Sequence, residues 1–195
     1  MTAGTGSATE PAGPFAELVA AVVDSATALT GLGGPGARVG DIVAQSTALE
    51  SRCATIVYRV HSTLPADRPA IERAKLRELS ILLGTVVRES ADVAAMAGDR
   101  GDHPLPEDLV DLIGGLLGCA HLTAISVLDA DSIHLLAIRQ GAYTALDRYA
   151  RYVSRRPGPE VSSPVLQDIS VLLVGIARTY DRIADTLAAL HRFRC

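Results

Sequence analysis

The segment LQDISVLLVGIARTYDRIA, residues 166–184, decides the fold because a second segment of the chain aligns with it without a gap. That second segment is LRELSILLGTVVRESADVA, residues 76–94, and six of the nineteen aligned positions are identical. In both segments apolar residues recur every three or four positions, which is the period of an amphipathic helix. One identity, Arg88 with Arg178, falls on a polar position that this period does not require. We therefore interpret the two segments as copies of one helix, produced by an internal duplication.

Glycine- and proline-rich segments divide the rest of the chain into further helices. These breakers occupy residues 31–36, 64–69, 98–106 and 155–164, with a softer break at 129–132. The predicted helices cover roughly residues 14–30, 38–64, 69–97, 106–127, 131–155 and 164–192. Each half of the chain thus has one shorter helix followed by two long ones.

This order predicts an all-α fold in which two tandem three-helix bundle repeats pack as one six-helix bundle. The predicted division is a flexible N-terminal tail over 1–13, repeat one over 14–97, a linker over 98–105 and repeat two over 106–192. The apolar faces of the two long closing helices are expected to supply most of the stability, because isolated helices are marginal in water.

Composition is typical of folded, soluble proteins. It has 195 residues, 48% of them hydrophobic and 21% charged, with a net charge of −4. Its three cysteines, Cys53, Cys119 and Cys195, are far apart and lack the spacing of a zinc site or a disulfide framework, so we expect reduced thiols. The N-terminus has neither the basic nor the apolar region of a secretory signal.

The most membrane-like window is LVDLIGGLLGCAHLTAISVL, residues 109–128. Its length approaches the ~20 residues that a membrane-spanning helix requires. Asp111, His121 and two adjacent glycines within it favour a buried bundle helix instead, so we expect at most a peripheral association with membranes.

Asp181 and Asp185 are the most suggestive candidates for a binding site. Four residues apart on a helix, their carboxylates lie on one face about 6 Å apart and are able to share a cation. The alternative interpretation is a solvated acidic edge. A divalent cation prefers six or more oxygen ligands, so Glu50 or Asp168 would have to join the pair. No cofactor other than such a metal ion is predicted.

The fifth predicted helix ends in a basic cluster with interleaved tyrosines. The arginines are Arg139, Arg148, Arg151, Arg155 and Arg156. Arginine with tyrosine is able to bind phosphates and bases, but positive charge at a helix C-terminus is also favoured by the helix dipole. We predict that Arg148, Arg151, Arg155 and Arg156 form a docking surface for an acidic protein partner, and that the protein does not bind nucleic acid.

Two tandem three-helix units and the closing segment YDRIADTLAAL, residues 180–190, resemble the PhoU family associated with phosphate transporters. The segment ALESRCATIVYRVHSTLPADRPAIERAKLRELS, residues 48–80, is similar to the second helix of that family and its proline-containing turn. The resemblance implies a cytoplasmic all-α protein that regulates phosphate uptake through the Pst or Pit transporters and their sensor kinase. It also implies acidic E(D)-x-x-x-D motifs, which hold metal clusters in some members.

This chain keeps only one of the four motifs in full, Asp181 with Asp185. The three other places have Glu50 with Ala54, Ala91 with Ala95, and Gln140 with Thr144.

No Ser-His-Asp or Cys-His set stands out, so we predict that the protein is not an enzyme. The leading prediction is a PhoU-like accessory or regulatory protein of phosphate transport or signalling that acts by protein–protein contact. Its partner would be a phosphate transporter component or a sensor kinase. Whether the chain also forms a homodimer is left open by the sequence. The alternatives are a carboxylate metal-binding helical bundle protein and a helical interaction module unrelated to phosphate.

Overall fold

Proline residues define several of the helix ends in the computed structural model, which describes residues 13–34, 38–100, 105–128, 132–154 and 163–192. Pro14 and Pro164 each occupy the first turn of a helix, where the fixed φ of proline suits the helix and the missing N–H costs nothing. Leu64, which precedes Pro65, is extended with φ −62° and ψ 121°, because the proline ring disfavours the helical conformation of the preceding residue.

The six helices follow the predicted order. They are α1 (Pro14–Thr30), α2 (Val39–Thr63), α3 (Ala70–Asp99), α4 (Glu107–Leu128), α5 (Ser132–Ser154) and α6 (Pro164–His191), with a 3₁₀ turn at Gly31–Gly33. All regular secondary structure in the described part of the chain is helical, so the prediction of an all-α bundle is confirmed. Every helix begins and ends within two residues of its predicted position. The predicted end of α5, residue 155, lies outside the described residues, and α5 is described to Ser154.

The bundle is organised around α3 and α6, which share the most extensive contact between any two helices. Within the first half α2 packs on α3, and within the second half α5 packs on α6. The main contacts between the halves join α1 to α4 and α3 to α6. These are the equivalent helices of the proposed duplication, and like-with-like contact is what an approximate two-fold relation between two copies produces.

Burial repeats along α3 and α6 with the same offset as the sequence alignment. The buried pairs include Leu79 with Ile169, Leu83 with Leu173, Val86 with Ile176 and Val93 with Ile183. Burial of each such side chain stabilises the fold by roughly 1.5–3 kcal/mol. Leu82 is buried as expected, whereas its counterpart Leu172 is only half-buried.

Polar detail repeats at the same offset. The aligned serines Ser80 and Ser170 are both buried, and each donates its hydroxyl to a carbonyl oxygen three residues earlier, at 2.8 Å and 2.7 Å. The aligned apolar residues Ile81 and Val171 are both exposed, by 53% and 54%. The duplication and its exact boundaries stay predictions, but most of these matched pairs, unlike Leu82 and Leu172, have the same environment in both helices.

Two of the predicted domain boundaries fall mainly outside the described residues. Of the predicted tail, the structure describes only Gly13. Of the predicted linker over 98–105, α3 takes the first two residues by continuing to Asp99, and residues 101–104 are not described.

Two segments are long and apolar enough to cross a membrane by length and composition alone, Pro14–Gly33 and Glu107–Val127. The first contains α1 and the second belongs to α4, and both helices pack in the bundle, with 50% and 39% of the respective windows buried. The outward side of α4 carries Glu107, Asp111 and His121, and most of its apolar residues face the other helices, although Ile125 is 45% exposed. This agrees with the interpretation of residues 109–128 as a bundle helix.

Candidate functional site

The carboxylates of Asp181 and Asp185 face the guanidinium of Arg139, which reaches across from α5 to α6. Arg139 Nη2 forms an ion pair with Asp185 Oδ1, and Arg139 Nε lies 3.7 Å from Asp181 Oδ1. The side chains of Arg139, Asp181 and Asp185 are 42%, 31% and 61% exposed. The sequence left open whether these two carboxylates share a cation or form a solvated edge, and in the structure the cation beside them is the guanidinium of Arg139.

The pair of aspartates therefore fits an arginine better than a metal ion. Each carboxylate already has a positive group on the side toward α5, and a divalent cation would have to displace it. Such a cation would also need further oxygen ligands. Among the residues that the structure describes, no three His, Cys, Asp or Glu side chains come together in a way that could hold a metal ion.

The two additional ligands suggested by the sequence are not brought to the pair. Asp168 is exposed and lies thirteen residues before Asp181 on the same helix, a separation of about 20 Å at 1.5 Å per residue. Glu50 lies on α2, where it lines a shallow depression with Cys53 and Arg88. Metal binding by Asp181 and Asp185 thus stays a prediction, and neither Glu50 nor Asp168 is placed to serve as a further ligand.

On α5, the residue that pairs with the aspartates is Arg139, which directly precedes the motif position Gln140. Thr144 donates its hydroxyl to the carbonyl oxygen of Gln140 within α5, at 2.7 Å, and Gln140 is exposed. Arg139 is the residue that faces the aspartates. The signal was present in the sequence, since Arg139 follows directly after Ile138, which belongs to the buried stripe of α5. The sequence alone places Arg139 with the basic cluster at the end of the helix.

The basic cluster itself is divided by the structure. Arg148 Nη1 donates to the carbonyl oxygen of Asp111 on α4, at 2.7 Å, and so ties the two helices together. Arg151 forms an ion pair with Asp147 one turn earlier, at 2.6 Å, and both side chains are more than half exposed. Arg155 and Arg156 lie outside the described residues. Docking through these arginines stays a prediction, with Arg151 the more accessible of the two that are described.

The outer face of α5 exposes large apolar side chains that the sequence analysis did not select. Ile133, Leu136 and Tyr143 are 71%, 70% and 55% exposed, and their spacing of three and seven residues places them on one side of the helix. We call these three residues the α5 outer face. Single exposed apolar residues are ordinary, but several on one helix face are typical of a contact surface. Periodicity alone could not reveal it, because α5 has apolar residues on both of its sides.

The opposite side of α5 approaches α4 very closely. A Cβ atom added to Gly141 would lie 2.7 Å from Sγ of Cys119, so only glycine fits at this position without a shift. Burial raises the pKa of Cys119 to about 11 and is the main cause of a similar rise, to about 11, at Cys53. Both groups are therefore neutral thiols at physiological pH, the less nucleophilic form.

Next to Cys119, the phenol of Tyr180 on α6 is completely buried. Burial, followed by the nearby Cys119, raises the pKa of Tyr180, so its hydroxyl stays protonated. Within the described residues this hydroxyl has no hydrogen-bond partner. The centre of the second half is thus an uncharged core, and its ionised groups lie at the surface with Arg139.

Comparison with known proteins shows the fold. No known protein-family model matches the chain, and no curated protein does. A solved structure does match: the crystal structure of a PhoU-like protein from Shewanella oneidensis superposes with a TM-score of 0.71 over 95% of this chain and 98% of that one. The two sequences are 15% identical. The six-helix architecture therefore corresponds to that of a PhoU-like protein along nearly its whole length.

Proposed function

We propose that this chain, whose fold is that of a PhoU-like protein, is a cytoplasmic accessory or regulatory protein of phosphate transport or phosphate signalling. It acts by protein–protein contact and not as an enzyme. The observation that carries the proposal is the superposition with the Shewanella protein, which covers almost all of both chains. Because so little of either chain is left over, the likeness is one of whole architecture and not of a shared helical hairpin.

The α5 outer face supports the element of contact in this proposal. Ile133 and Leu136 expose more than two thirds of their surface to water. This exposure does not stabilise an isolated bundle, because apolar surface is favourable only when it is removed from water. Tyr143 adds an aromatic group, a residue type enriched at the centres of protein interfaces. Arg151 and Asp147, on the following turns, would belong to the polar rim.

The partner that we propose is the cytoplasmic part of a phosphate transporter or of the sensor kinase that works with it. A partner surface with an apolar centre and acidic groups at its edge would match the α5 outer face and the basic end of the helix. A second copy of the chain would match only if its own acidic residues lay at the edge of the contact. We therefore consider a homodimer the second candidate for the partner.

A direct binding assay tests the proposal. Purified chain is titrated with the cytoplasmic components of the transporter and with the kinase, with and without inorganic phosphate. Leu136→Asp should weaken binding at least tenfold, because it places a charge at the centre of the contact, where a hot-spot residue contributes 2 kcal/mol or more.

The matched control is Val171→Asp on α6, which introduces the same charge at a position that is 54% exposed. Circular dichroism should show the same helix content for both variants. An absence of association with every component, under all phosphate conditions, would overturn the proposal. Binding to a partner with no role in phosphate transport would instead favour an interaction module unrelated to phosphate.

A further inference from the structure

A cavity of about 250 Å³ lies at one end of the bundle, where five helices meet. The first turn of α1, the last turns of α2, α4 and α6, and the loop and first turns of α3 surround it. No residue of α5 lines it, so the cavity is separate from the α5 outer face. Helices from both halves of the chain contribute, and a bound molecule would touch both halves at once.

The walls of this cavity are mainly apolar. Val60, Leu79, Leu187 and Leu190 line it and are each no more than 6% exposed. An apolar cavity of about 150 Å³ is enough to hold benzene. The larger volume here suits a substituted ring or an alkyl chain, and it is smaller than the pockets of roughly 300–1,000 Å³ that hold most drug-sized ligands.

The ionisable groups at the cavity are basic. Arg68 and His191 line it, and among the described lining residues there is no aspartate or glutamate. Nε2 of His191 is buried and lacks a hydrogen-bond partner in the part of the chain that the structure describes. An unpartnered buried polar atom destabilises the folded state, and a bound hydrogen-bond acceptor would remove this cost.

The loop that carries Arg68 is held in place by hydrogen bonds. Arg73 Nη1 donates to the carbonyl oxygens of Ala66 and Arg68, at 2.5 Å and 2.7 Å. Arg68 Nη1 forms an ion pair with Glu72, at 2.5 Å, which uses one of the five N–H donors of its guanidinium. The rim therefore has a fixed backbone and an oriented arginine, and little conformational entropy would be lost on binding.

From these features we infer that the cavity binds a small apolar carboxylate, a medium-chain fatty acid or an aromatic acid. The apolar body lies between Leu79 and Leu187, and the carboxylate accepts hydrogen bonds from His191 and Arg68. The inference does not depend on the proposed function, because it uses none of the residues of the docking surface.

Octanoate is the probe, and 1-octanol is its neutral counterpart with the same chain. Isothermal titration of the full-length protein should show one octanoate bound per chain and at least tenfold weaker binding of octanol. The midpoint of thermal unfolding should rise with octanoate concentration, because a ligand that binds only the folded state stabilises it. His191→Ala and Arg68→Ala should each weaken octanoate binding at least fivefold while leaving octanol binding unchanged.

His121→Ala and Arg77→Ala are the matched controls, since both residues are exposed and neither lines the cavity. Leu79→Phe, which fills the cavity, should abolish binding of both probes. Equal affinities for octanoate and octanol would overturn the assignment of the head group. If neither octanoate nor octanol binds, the cavity is not a binding site and the inference is overturned. Binding that appears only after deletion of residues 193–195 would show that the chain's own C-terminus competes for the cavity, and would equally contradict the inference.

Discussion

At the scale of single residues, Arg139 changes the meaning of the acidic pair on α6. Two carboxylates one helical turn apart repel each other, and a cation between them relieves that repulsion. This cation is either a bound metal ion or an arginine of a neighbouring helix. Here α5 supplies Arg139, which contacts both aspartates. The sequence allowed the pair to be found, but the identity of its cation depends on how α5 is rotated against α6.

Replacement of Arg139 tests this interpretation. We expect Arg139→Ala to lower the free energy of unfolding by up to about 1 kcal/mol, because the ion pairs are partly exposed. We also expect the variant to bind Mn²⁺ more tightly than the wild type, since the aspartates lose their internal cation. Urea unfolding and isothermal titration with MnCl₂ measure the two effects.

Arg151→Ala is the control, because it breaks an exposed ion pair of the same kind with Asp147. Stoichiometric metal in untagged wild-type protein, lost on Asp181→Ala, would contradict the account and favour the metal-binding alternative.

Tyr180 offers a second test at the scale of a residue. Its hydroxyl is buried without a partner among the described residues, so Tyr180→Phe removes a desolvated polar group while keeping the ring. We expect the free energy of unfolding in urea to rise by about 1 kcal/mol. A loss of stability of that size would instead reveal a hydrogen bond to the phenol.

At the scale of helices, the ends were predictable because glycine and proline act locally. Pro14 and Pro164 start their helices, and α2 ends at the residue before Leu64. The spacing between helices was not predictable, because it depends on which small residues meet. The sequence contains several glycines in α4 and α5, and only the packing shows that Gly141 permits the close approach to Cys119.

Two glycine substitutions with opposite expected signs test that close approach. Gly141→Ala should lower the free energy of unfolding by about 1 kcal/mol or more, because the clash with Cys119 outweighs the gain in helix propensity. Gly118→Ala should raise it by about 0.5–1 kcal/mol, since its Cβ would meet no atom within 4 Å. In a Cys119→Ala background the penalty of Gly141→Ala should shrink, and an unchanged penalty would rule out the clash.

The contact between α3 and α6 should make stability depend on pH through Glu89. A Cβ at Gly175 of α6 would lie 3.5 Å from both carboxylate oxygens of Glu89, and Oε2 is buried without a hydrogen-bond partner in the described chain. Burial raises the pKa of Glu89 above its ordinary value of 4.5, against an opposing effect of Arg88 and with a smaller contribution from Asp92.

A raised pKa means that the folded state binds the proton more tightly than the unfolded state. The stabilisation from this group is therefore complete below pH 4.5 and is lost as pH rises through the folded pKa. We expect Glu89→Gln to be more stable than the wild type at pH 7 and to lose less stability between acidic and neutral pH. Urea unfolding at several pH values measures this, and identical pH profiles for the two proteins would contradict it.

At the scale of the whole molecule, the architecture was predictable and its surfaces were not. The repeat of Leu76–Ala94 in Leu166–Ala184 led to the prediction of a duplicated three-helix unit, and the main contacts between the two halves join α1 to α4 and α3 to α6. Leu136 and Tyr143 were not recognisable as surface residues, because an apolar residue in a bundle sequence is usually buried. The terminal cavity was hidden for a related reason, since it forms where the ends of five helices meet and no single helix contains it.

Phosphate uptake by the source cells tests the central claim most directly. Uptake of radiolabelled phosphate is compared in cells with and without this chain, and in cells complemented with wild type, Leu136→Asp or Val171→Asp. The account predicts that loss of the chain changes the uptake rate, and that wild type and Val171→Asp restore it while Leu136→Asp does not. Uptake that is the same with and without the chain, under both high and low phosphate, would contradict the account.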